Sequence, residues 1–166
     1  MNIFSTSDCP VQSAKEHCNV HNVKMVVELA QLLSTAHFII DGAVKGYKPT
    51  HQNHPSAVWV RKCSENYAWA YNHFKALCDE YTHRTDKIHK SSEMLVVLQE
   101  KPCKIVLGSR TAFAMAMPDQ YKRLGVFDQT KAYQAYLNNK FAEWTCRDKP
   151  VKVEWANRKS PDWLNI

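Results

Sequence analysis

The chain has 166 residues, 45% of them apolar and 23% charged, and carries a formal net charge of +6. Such a chain is long enough for one domain with a true core, and its composition excludes a disordered or repeat-built protein. The basic balance favours an anionic partner, with DNA or a nucleotide foremost.

In chain order, "NIF" at 2–4 reads as a short extended segment. Asp8 followed by Pro10 starts a helix that runs to about Cys18. "HNVKMVVELAQLLSTAHFII" is a long, largely apolar helix ending near Asp41-Gly42, where glycine can take the left-handed cap. "AVKGYKPTHQNH" is a loop rich in turn residues. His54-Pro55 opens the next helix, and Ser64-Glu65 re-caps the chain into "ENYAWAYNHFKALCDEYTHR". There Tyr67, Ala70, Phe74, Leu77 and Tyr81 form an apolar side. Ser91 or Ser92 caps "SEMLVVLQE", which stops before Pro102. Between 103 and 127, "KIVLG" reads as extended and "TAFAMAMP" as a short helix. Asp128 caps a last helix, "QTKAYQAYLNNKFAEWT". The expected fold is mainly α: one domain over 1–166 with five or six helices, a short extended N-terminal segment, and a tail at 147–166 packed on the body.

Six scattered cysteines without a CxxC pair fit reduced thiols better than a disulfide framework. No apolar run approaches the ~18 residues of a membrane span. The N-terminus lacks a basic region followed by an apolar one, so a cytoplasmic protein without membrane contact is expected.

Within the long apolar helix, His21, Lys24, Glu28, Gln31 and Thr35 recur every three or four residues and share one side. This stripe is either the solvent face of an amphipathic helix or the wall of a cleft. As a solvent face, Lys24 and Glu28 form an ordinary i,i+4 pair. As a cleft, an amine beside a carboxylate in a low-dielectric setting supports nucleophilic or acid–base chemistry. "THQNHPSAVWVRK" crowds His51, Asn53, His54 and Trp59 around a helix start, with Arg61 and Lys62 just beyond. That set suits a phosphate and a stacked base, or merely a capped polar turn. Asn66, Trp69, His73, Glu80 and Arg84 follow helical spacing on the side opposite Tyr67, each explicable as structural or solvated, and Glu80/Arg84 as an ion pair. "MPDQYKR" adds Lys122 and Arg123 in a turn.

Cys18, His21, His51 and His54 offer a zinc-type quartet as an alternative, with wider spacing than a zinc finger has. The phosphate-loop, dinucleotide, zincin, serine-elbow and deaminase motifs are all absent. No cofactor is expected.

The segments "CNVHNVKMVVELAQLLSTAH", "YKPTHQNHPSAVWV", "ENYAW", "LCDEYTHR" and "AMPDQYK" together resemble a group of small phage and bacterial proteins, mostly uncharacterised. More distantly, the chain resembles the pyrimidine-dimer DNA glycosylases of endonuclease V type. That resemblance implies a small, basic, nearly all-helical enzyme acting on damaged duplex without metal. It further implies an imine between an enzyme amine and the sugar, and a helical glutamate, which maps to Glu28. In that family the amine is exposed by removal of the initiator Met. Here residue 2 is asparagine, whose bulk usually prevents that removal, so Lys24 or the α-amine of Met1 would have to serve. The expectation is thus a DNA-acting glycosylase or glycosylase/lyase with Glu28 and Lys24 as catalytic residues. His21, His51, Asn53, His54, Trp59, Arg61, Trp69, His73 and Lys122 would bind substrate. The alternatives are a transferase or hydrolase acting on nucleotides or modified bases, and a non-catalytic module binding nucleic acid or a host protein.

Overall fold

Apolar spacing and its punctuation produce seven α-helices and no strand in this computed structural model, which describes residues 1–166. They are α1 (Pro10–Glu16), α2 (Asn19–Asp41), α3 (Pro55–Val60), α4 (Ser64–Thr85), α5 (Met94–Leu98), α6 (Asp119–Lys122) and α7 (Gln129–Thr145). Two 3-10 turns, Lys90–Glu93 and Leu124–Val126, lead into α5 and α7. The fold is all-helical, as expected, with one helix more than the sequence pattern indicated.

α2 runs through the centre. Met25, Val26, Leu29, Ala30, Leu32, Leu33 and Ala36 are fully buried. They meet Tyr67, Ala70, Phe74 and Leu77 of α4 in one core cluster. Gly42 ends α2 at φ 71°, a left-handed cap whose N–H reaches Phe38 O at 3.0 Å. By length and hydropathy α2 could cross a membrane, yet 61% of that stretch is buried inside the fold, as befits a core helix.

α4 is covered on two sides. Its second side, carrying Asn66, Trp69, His73, Glu80 and Arg84, is buried mostly against α1 and the residues around it. Trp69 Nε1 donates to Asp8 O at 2.7 Å, and Arg84 donates to His17 O at 2.6 Å and Lys15 O at 2.9 Å. The tail closes over this face. Arg158 pairs with Glu80, Trp155 Nε1 donates to Glu16 O, and Trp163 Nε1 donates to Glu16 Oε2, both at 3.0 Å.

Four local expectations are corrected. Residues 2–4 form no strand: Phe4 has φ 51°, and the Asn2 side chain accepts from the N–H groups of Ile3 and Phe4, turning the chain. α1 is capped at Cys9 rather than Asp8. The turn before α5 is capped by His89, whose Nδ1 accepts from Ser91 N at 3.1 Å, not by a serine. "TAFAMAMP" is irregular, because its backbone is needed by other elements: Trp59 Nε1 donates to Ala112 O, and Ala116 N donates to the Tyr133 hydroxyl. Helix resumes only after Pro118, in α6.

Candidate active site

Glu28 sits one helical turn beyond Lys24 and is only 9% exposed. Its Oε2 accepts from the backbone N–H of Asn2 at 2.7 Å and lies 3.9 Å from the α-amine of Met1. Its Oε1 lies 3.5 Å from Lys24 Nζ, whose side chain is largely exposed. One nearly buried carboxylate therefore faces two amines.

The N-terminal segment is held there from several directions. Asn2 Nδ2 donates to Ala116 O at 2.7 Å. The Tyr133 hydroxyl, from α7, lies 2.6 Å from Ala114 O and 3.0 Å from Asn2 Oδ1. Burial pushes the Tyr133 phenol above its ordinary range, so it stays a neutral hydrogen-bonding strut. Helix α2, the N-terminus, the 114–116 segment and α7 thus converge on Glu28.

The THQNHP turn joins this assembly. Thr35 Oγ1 of the α2 stripe donates to Thr50 O at 3.2 Å and accepts from Thr50 N at 3.1 Å. His54 caps α3 through Nδ1, which accepts from Ser56 N at 3.1 Å. Its basicity is lowered by partial burial, then by the α-amine and His51, with Glu28 acting in the opposite direction. The α-amine and Glu28 thus both act on this ring electrostatically. His51 and Asn53 are exposed on the same turn, and His51 holds φ 47° with Nδ1 2.7 Å from Thr50 Oγ1. Arg61 Nη1 donates to Gln52 O at 2.6 Å and braces the turn.

Other expected contacts lie elsewhere. His21 is 2% exposed and stacks on Phe4 at 4.6 Å. Burial, then Lys140 and Lys24, lower its pKa to about 3, so it is neutral and no phosphate ligand in this arrangement. Trp59, Trp69 and His73 belong to the core. The two indoles meet edge to face at 5.9 Å, and His73 Nδ1 lies 2.9 Å from Pro10 O. An aromatic buried on this scale has no face left for a base. Lys122 is on the surface, paired with Asp119 at 2.7 Å. Cys18 and His21 are buried away from His51, and no three His, Cys, Asp or Glu side chains are grouped to hold a metal ion, which removes the zinc quartet.

Lys140 went unnoticed in the sequence. Its Nζ lies 4.9 Å from the Phe4 ring centre, 5.4 Å from Tyr136 and 5.3 Å from Trp144. Burial lowers its basicity and Lys24 lowers it further, while Cys18, Glu28 and Glu143 act in the opposite direction. It opens on a cavity of about 360 Å³ walled by Tyr121, Tyr136 and Trp144. The available signal was the i, i+3, i+7 spacing of Tyr133, Tyr136 and Lys140, which sets a cation among aromatics on one helical face.

Fold and site together define a small, basic, all-helical protein with a carboxylate–amine centre beside an exposed polar turn. The chain belongs to the pyrimidine dimer DNA glycosylase family, whose family model matches residues 1–94, more than half its length. The matched part contains Glu28, Lys24 and the THQNHP turn; Tyr133 and Lys140 lie beyond it. No curated protein and no solved structure matches the chain. Membership supports a DNA glycosylase-like role and DNA as the partner at the level of the family.

Proposed function

We propose that the protein removes a damaged pyrimidine from duplex DNA by amine catalysis, with Glu28 as the assisting carboxylate. The observation that carries this reading is the Glu28 carboxylate bound to Asn2 N at 2.7 Å with two amines within 4 Å. The α-amine of Met1 is the favoured nucleophile, because it faces Glu28 from a buried position, where water is excluded from the reacting atoms. Lys24 at the same carboxylate is the second choice, being far more exposed.

In this scheme the amine lone pair attacks C1′ of the deoxyribose. The glycosidic bond breaks, and its electron pair leaves with the base, which takes up a proton. Glu28 stabilises the positive charge that grows on the sugar and accepts the amine proton. Ring opening then gives the imine. Loss of a C2′ proton expels the 3′ phosphate and cuts the strand, which is the lyase step. His51, Asn53 and His54 bind phosphate or base at the mouth, and Arg61, Lys62 and Arg123 contact the backbone. Lys140 adds a cation among Phe4, Tyr136 and Trp144.

The test is strand scission on a duplex with one cyclobutane pyrimidine dimer, compared with its Glu28→Gln variant. Dimer-dependent scission by the wild type, lowered by roughly 10²–10⁴-fold in the variant, is expected for an acid–base carboxylate. Equal activity of the two proteins would remove Glu28 from the mechanism.

A further inference from the structure

Beyond α6 the chain makes a tight turn with an apolar tip. Leu124 is 52% exposed, Val126 70% and Phe127 93%, the most exposed large apolar side chain in the molecule. The base of the turn is rigid. Gln129 Nε2 donates to Gly125 O at 2.7 Å, and Phe127 N donates to Leu124 O. A Cβ on Gly125 would stand 2.0 Å from Met115 Sδ, so the turn is seated tightly on the 114–117 segment. That segment also accepts from Asn2 at Ala116 O, and Asn2 N binds Glu28. The tip is therefore linked to the catalytic carboxylate through one short chain of contacts.

Exposed apolar groups on a rigid mount need an occupant. The flanking charge argues for a polyanion: Arg123 and Lys131 are exposed and without a carboxylate partner. Nearby Asp119 is paired with Lys122, and Asp128 is committed to capping α7 through Thr130 N and Lys131 N. A lone aromatic between unpaired cations is the composition of a wedge entering a base step, where phosphates lie on either side. Removing a base from duplex demands that stacking be broken and the gap filled.

We propose that Phe127, supported by Val126, inserts into the DNA stack next to the damaged nucleotide and holds the bent duplex on the site. This rests on the glycosylase reading above, and deepens it. The wedge supplies duplex preference and lies in the part of the chain beyond the family match.

The experiment uses the full chain and a dimer-containing duplex with 2-aminopurine beside the lesion. The wild type unstacks the probe and its fluorescence rises on binding. Phe127→Ala abolishes most of that rise and weakens duplex binding about tenfold, the loss of one stacked ring. Phe127→Leu retains most of both, and single-strand binding and thermal stability stay as in the wild type. A wild type that acts on the duplex while Phe127→Ala shows the same fluorescence and affinity overturns the wedge alone. A wild type that neither binds nor cuts the duplex overturns the glycosylase reading with it. A chain that self-associates until Phe127 is replaced also overturns the wedge, the occupant then being a second copy.

Discussion

At the scale of single residues, the centre turns on how Glu28 is surrounded. The nearly buried carboxylate accepts a backbone N–H and faces two amines, so three nitrogens fix its position. Lys140 is the neighbouring group with the clearest separate signature. Lys140→Gln is expected to weaken the salt dependence of duplex binding, because it removes one cation from the open cavity walled by Tyr121, Tyr136 and Trp144. It also removes the second cause of the low His21 basicity, so the His21 pKa rises from about 3 while burial keeps it below its ordinary value. Salt titration of duplex binding and NMR titration of the His21 ring read these effects. An unchanged His21 would mean that Lys140 has no part in setting it.

At the scale of elements, α4 shows why half the site was legible and half was not. Apolar spacing located α2, α4 and α7, and the Asp128 cap of α7 was visible because its Oδ1 accepts from Thr130 N and Lys131 N. Periodicity could not reveal that α4 is covered twice. Its Trp69 and His73 were expected to bind substrate, but Asp8 O and Pro10 O take their polar atoms, while Glu80 and Arg84 form the ion pair their spacing indicated. Glu28 was visible because a carboxylate stands out on an apolar helix. Its principal partner, Asn2 N, was not, because that contact depends on how the N-terminus folds back over α2. Glu80 is the hinge of the tail, its side chain only 6% exposed between Arg84 and Arg158. Glu80→Ala leaves a buried guanidinium unpaired and should cost about 3 kcal/mol by denaturant unfolding. A cost near zero would show that Arg84 is satisfied by its carbonyl partners alone.

At the scale of the whole molecule, three neutral imidazoles lie packed in one region. His17 and His73 stand 5.3 Å apart and His17 and His21 6.1 Å. Burial depresses all three, to about 3 for His21 and about 4 for His73. The unfolded chain binds protons at these positions below about pH 6.5, whereas the native chain does not. Their contribution is therefore fully present above pH 6.5 and is lost as pH falls toward the folded values. The loss is about 1.4 kcal/mol per histidine per pH step. Urea midpoints should fall markedly between pH 7.5 and 5.5, and equal midpoints would mean that these imidazoles are already solvated.

Borohydride trapping on dimer-containing duplex, followed by peptide mapping of the adduct, tests the amine–carboxylate centre most directly. The expected result is one covalent protein–DNA species with the sugar attached at Met1 or, as second choice, Lys24, and far less of it with Glu28→Gln. Complete absence of an adduct together with intact DNA strands would contradict the account.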